Sequence, residues 1–264
     1  MEPQFEKQTL GKRTKSMLKV DFKRMFTMPL VYIFAGVCLV MPVLILVMAT
    51  MMGGAMPDPA AGTDKAVETF TNVWQTLGAL SGAGMSMDLT AMCNINLLYF
   101  LAAVFVCIYV AEDFRSGYVK NLFTVRAKKT DYVISKSVVC FVAVAGMFVL
   151  YLIGATIGGA IAGLSFATTG FGAGGIASCF IAKIFLAAVF VAIAIALSVV
   201  AKQRLWLSVL CSFAAGMLLF TMIPMIAPLD GNFLNVIMCV AGGAMFAVGL
   251  GAVSRAVLDK TSLV

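Results

Sequence analysis

Long apolar runs alternate with short polar segments along this chain. The runs cover about 30–52, 91–111, 137–164, 176–201, 205–225 and 234–253. Each holds about 20 residues or more. That suffices to cross a hydrocarbon core of about 30 Å at about 1.5 Å of helical rise per residue. The pattern predicts an all-α membrane protein with six transmembrane helices. It divides the chain into a basic segment (1–29), a transmembrane domain (30–253) and a short tail (254–264). Too little polar sequence remains between the runs to build a soluble domain.

Ahead of the first run, Leu18, Phe22, Met25 and Phe26 recur at helical spacing, flanked by Lys12, Lys15, Lys19 and Lys23. This predicts an amphipathic helix lying in the membrane interface. The plainer alternative is a solvated basic tail that only fixes topology. Pro29 lets the chain turn into the bilayer, and Pro42 should kink the first span. The loop 53–90 opens with Gly53, Gly54, Pro57 and Pro59. A short helical piece around 64–80 should follow, with Val67, Phe70, Trp74 and Leu77 on one stripe. Asn94 and Asn96 either bond across helices or are wetted at the outer interface, and the wetted placement is favoured. Gly154 with Gly158, Gly159 with Gly163, and the series Gly243, Ala247, Gly251 are small-residue spacings that let helices approach closely.

Composition sharpens this. Of the 264 residues only 12% are charged and 62% are hydrophobic, where soluble domains carry about 25% charge. The net charge of +7 does not point to nucleic acid, because the basic residues flank apolar runs. With both termini inside, 17 of the 19 Lys and Arg residues fall in inner segments. That bias predicts cytoplasmic N and C termini. There is no histidine, and the seven cysteines form no CxxC pair, so a Cys/His metal site is excluded. No span carries a central Asp or Glu, and no GxxxxGK[ST] phosphate loop occurs. Catalytic, cofactor-binding and metal-ligating residues are therefore expected to be absent. Lys183 is the one charge inside an apolar run. It either contacts substrate in a cavity or snorkels to the outer headgroups.

The segment Glu112–Lys136 is a charged island between the second and third runs. It holds Arg115, Lys120, Arg126, Lys128, Lys129 and Lys136 against Glu112, Asp113 and Asp131. Such a loop should sit in water, on anionic lipid or against a partner protein. Glu112 and Asp113 suit the start of a short helix at 112–126. Val119, Leu122 and Phe123 would offer an apolar stripe to a partner's groove. Asp131 would cap the next helix.

The order of these parts resembles a type-2 ABC transporter permease, the exporter-type membrane subunit. The residues carrying the resemblance are Glu112, Gly117, Lys120, Leu122-Phe123, Arg126 to Lys129, Tyr132 and Lys136. It implies that 112–126 is a coupling helix docking a separate ATP-binding subunit through Glu112, Asp113, Gly117, Val119, Lys120, Leu122, Phe123 and Arg126. It further implies a second permease subunit, ATP and Mg held by the partner rather than this chain, and a bacterial cytoplasmic membrane. A peptide, drug-like or other amphipathic cargo would be exported. The alternative is an ATP-independent membrane carrier or scaffold.

Overall fold

The computed structural model describes residues 10–52, 70–78, 93–124, 128–168, 172–202, 204–220 and 222–260. Its helices are α1 (Leu10–Thr27), α2 (Pro29–Met52), α3 (Leu97–Arg115), α4 (Tyr118–Thr124), α5 (Lys129–Ile161), α6 (Gly172–Ala201), α7 (Leu205–Phe220), α8 (Ile223–Ile226) and α9 (Phe233–Lys260). A single 3-10 turn, Val73–Thr76, precedes α3. Among the described residues, extended backbone pairs only where Asn72 meets Ser165. The all-helical class expected from the apolar runs is what forms.

Among the described residues five helices, α2, α3, α5, α6 and α9, are long and apolar enough to cross a membrane. The fifth expected span differs. α7 has 16 residues and rises about 24 Å, short of the ~30 Å core. Beyond Phe220, the four residues of α8 form a separate turn with Pro224 near its start. Pro224 has no N–H to give to the carbonyl four residues back, which removes one bond that would join α8 to α7. Other boundaries also move. α3 begins at Leu97, after a turn through Asn94–Asn96. α5 begins inside the island and runs 33 residues, about 50 Å. α9 carries the expected tail onward to Lys260 as helix.

α3 and α6 form the centre: 61% of the apolar window of each is buried, against 17% for α2 and α9 at the edges. Glycine notches set two of these contacts. A Cβ on Gly154 would lie 2.1 Å from the Leu39 carbonyl oxygen, and one on Gly158 would lie 2.7 Å from the Val43 Cα. α2 thus rests backbone to backbone on α5. Pro42 is buried in this notch, and α2 runs through it as one helix. α9 meets α6 the same way: a Cβ on Gly243 would lie 2.8 Å from the Phe185 carbonyl oxygen. Gly159 receives the Val73 side chain instead of a helix. Gly163 meets nothing. It adopts φ +70° and ends α5, with the Leu164 N–H donating to the Gly159 carbonyl at 2.9 Å, as a left-handed helix terminus does.

The chain collects its polar ends at one end of the bundle. α1, the close of α3, α4 and the start of α5 meet there. The Lys129 ammonium donates to the Leu258 carbonyl at 2.7 Å, which brings the end of α9 to the same level. Segments 70–78 and 164–168 meet at the opposite end. There the Trp74 indole N–H donates to the Phe166 carbonyl at 3.1 Å, and Asn72 Nδ2 to the Ala167 carbonyl at 2.7 Å. Val67 lies outside the described residues.

The notches give a paired test. Gly→Ala ordinarily helps a helix by up to about 1 kcal/mol, and Gly146→Ala, where a Cβ meets nothing within 4 Å, should be neutral or stabilising. Gly154→Ala forces α2 away and should cost about 1–3 kcal/mol. Unfolding of the detergent-purified variants measures both. Equal behaviour would count against the α2–α5 contact.

Candidate functional site

Three charged residues of the island, Asp113, Asp131 and Lys136, are buried inside the protein, contrary to expectation. Asp113 lies in the last turn of α3. Ser135 and Lys136 lie in the second turn of α5, three and four residues after Tyr132, and so share its face. α1 contributes Asp21 and Arg24, one turn apart. Asp21, Asp113, Ser135 and Lys136 are all at 0% exposure. The Lys136 ammonium pairs with Asp113 at 2.8 Å and with Asp21 at 3.1 Å. Arg24 pairs with the other oxygen of Asp113 at 2.9 Å. Two cations thus meet two carboxylates.

Hydroxyls add bonds to the carboxylates and to the backbone beside them. Tyr132 donates to Asp113 at 3.0 Å, Ser135 donates to Asp21, and Tyr109 donates to the Asp21 carbonyl at 3.1 Å. The Arg24 guanidinium lies 3.7 Å from the centre of the Tyr118 ring, and the Lys136 ammonium 4.2 Å from that of Tyr109. Burial lowers the Arg24 pKa, but Asp113, Tyr118 and Tyr109 beside it outweigh that and raise it above the ordinary value. Burial, with Asp21 adding, raises the Tyr118 phenol. Both α1 and α4 are thereby fastened to the helices behind them. A second pair, Arg13 to Asp131 at 3.3 Å, ties the start of α1 to α5.

The predicted docking residues distribute unevenly over this site. Glu112 and Asp113 belong to α3, so the helix expected over 112–126 is only the seven-residue α4. Val119 is buried at 1% exposure, and Leu122 and Phe123 pack against the core. The Phe123 ring meets Tyr132 edge-on. The apolar stripe expected to face a partner is therefore spent within the chain, because the short α4 covers the aromatic wall of the ion cluster. What α4 and its approach turn outward are Arg115, Lys120, Asn121 and Thr124. Gly117 stands between α3 and α4 at φ +72°. Proline, held near φ −65°, cannot follow that backbone. Asp131 is not a cap: α5 is preceded by Lys128, which makes no side-chain cap bond, and Asp131 turns inward to Arg13. Arg126 lies outside the described residues.

On α1, Met25 is buried, Leu18 and Phe22 pack against the core, and Phe26 is exposed. The four flanking lysines are exposed. Asp21 is the functional residue that sequence reasoning missed. Its signal was present: it is the one acid of α1, three and four residues from Leu18 and Met25, on the apolar face rather than among the lysines.

At the opposite half of the bundle, Lys183 does not reach outward to headgroups. It is at 0% exposure, and its ammonium donates to Asn96 Oδ1 at 2.5 Å. It lies beside Gly78. Asn96 and Asn94 are themselves buried rather than wetted, and Asn94 Oδ1 accepts the Asn96 backbone N–H. Tyr99 donates to the Lys183 carbonyl at 3.0 Å. The turn before α3 and the middle of α6 are thus joined by a polar lock. Among the described residues no group of His, Cys, Asp and Glu forms a metal site.

Comparison with protein-family models, with curated proteins and with solved structures found no match for this chain.

The ion cluster yields a double-mutant test. Lys136→Met leaves two buried carboxylates facing each other and should cost about 3–5 kcal/mol. Adding Asp21→Asn should return part of that loss, so the two changes should couple by about 1 kcal/mol or more. Denaturant unfolding in detergent reads the coupling. Strictly additive losses would overturn the ion pair as drawn.

Proposed function

We propose that the chain is the permease subunit of an ATP-driven exporter, anchored in a bacterial cytoplasmic membrane with the α1–α4–α5 end and both termini inside. α1 would lie at the inner interface, with α7 and α8 as a short fifth crossing. A separate ATP-binding subunit would dock on α4, and a second permease subunit would complete the path. One observation carries this reading: a short surface helix rests through Tyr118, Val119 and Phe123 on the ion cluster that joins α1, α3 and α5, with its polar face outward. A push on α4 then moves the membrane helices behind it rather than bending a loop, which a two-state element driven from another chain requires. The absence of a nucleotide loop in the sequence fits hydrolysis in a partner. An amphipathic cargo such as a peptide suits the predominantly apolar helices.

The docking face is basic and polar, so the partner groove would be acidic. Affinity purification from native membranes in mild detergent should bring down an ATP-binding subunit. The doubly changed Arg115→Glu/Lys120→Glu protein should fold with an unchanged melting point and retain at least tenfold less of it. A chain that emerges alone from several detergents would overturn the proposal.

A second reading, an ATP-independent carrier, is favoured by the buried Lys183–Asn96 pair, since an ionisable group at depth commonly marks an ion or substrate path. Transport by the purified chain in vesicles without ATP, lost in Lys183→Met, would support it over the first.

A further inference from the structure

A furrow opens along the outer face of the bundle between α5 and α9. Near the polar end it is a cleft of 670 Å³, floored by Val133, Ala247 and Gly251, with Thr130 and Arg255 at its mouth. A second cleft of 270 Å³ shares Ser137, Val138 and Ala247 with the first and continues inward to Phe185 and Val240. The hollow has a structural cause. α9 leans on α6 at Gly243, and small residues at 244, 247, 251 and 252 leave the space beside α5 empty. Ile134, Val138 and Val248 on its rims are 37%, 39% and 74% exposed. From Val240 to Arg255 the furrow spans about 22 Å along α9, more than the ~15 Å half-thickness of a hydrocarbon core.

The mouth is charged. Arg255 is more than half exposed and meets Asp259 only at 3.7 Å. Asp259 is also drawn to Lys129 at 3.3 Å. Lys128 and Lys260 are exposed nearby. Asp259 is thus shared by two cations, Arg255 and Lys129, with Lys128 and Lys260 exposed next to them in sequence, and the mouth keeps a net positive charge. We propose that this furrow binds an anionic phospholipid, with its phosphate at Arg255 and Lys128 and one acyl chain laid between α5 and α9. Basic pockets between membrane helices bind anionic headgroups in this manner. A second copy of the chain suits the furrow less well. A two-fold axis along the membrane normal would set the net positive mouth against itself. The proposal rests on the membrane-spanning reading of α5 and α9 and not on the ATPase partner.

The full-length protein, purified in mild detergent, would be titrated with dioleoyl phosphatidylglycerol or dioleoyl phosphatidylcholine and bound lipids counted by native mass spectrometry. At least one phosphatidylglycerol should bind about tenfold more tightly than phosphatidylcholine. Arg255→Glu should abolish that preference. Ala252→Trp, which fills the furrow from an exposed position, should expel the tightly held lipid while leaving the melting point unchanged. Equal affinity for the two lipids would overturn the proposal, as would a preference surviving both substitutions. So would a finding that Ala252→Trp converts a dimer to a monomer without altering lipid binding, since the furrow would then be covered by a second copy.

Discussion

The contact on which the rest depends is the meeting of Lys136 with Asp21 and Asp113. Helices in a membrane gain little by burying leucines against one another, because the lipid tails are just as apolar. Packing alone would let α1 slide or detach. A buried cation between two carboxylates from two other helices admits one arrangement only, since any slip leaves a charge unpaired in a low-dielectric interior. Arg24 balances the remaining charge, Tyr132 and Ser135 donate to the two carboxylates, and Tyr109 donates to the Asp21 backbone carbonyl. The worth of the cluster is therefore in register more than in net stability.

That constraint explains the shape of the polar end. α4 is too short to hold itself, since isolated helices need about 12 residues or more. It persists because Val119 is buried, because Phe123 closes on Tyr132, and because Gly117 supplies the left-handed turn that aims it. Its apolar residues are consumed in that closure, so recognition of any partner falls to Arg115, Lys120 and Asn121. The far half uses a weaker version of the same device, with an amide in place of a carboxylate, at Lys183 and Asn96. Glycine notches supply the remaining specificity where α2 meets α5 and α9 meets α6.

The proposed functions draw on different halves of this plan. An exporter subunit needs the stiff polar end. A carrier needs the buried lysine. The lipid furrow needs neither, only the gap that α9 leaves when its small residues pull it onto α6.

The sequence by itself determined the class, the five long spans and the α1 amphipathic stripe, because helical period and run length depend only on local order along the chain. It also marked Gly154 and Gly158 as contact points, since only a missing Cβ permits such an approach. α7 ends at Phe220, one turn before Pro224, whose ring crowds the carbonyl four residues back, and run length alone does not register that. The island was legible as charged but not as buried. Asp21, Asp113 and Lys136 lie 23 to 115 positions apart, and which carboxylate meets which ammonium is decided when the helices cross. The same holds for Lys183. A lysine in an apolar run can face lipid or core, and the position of Asn96 in the turn before α3 decides for the core.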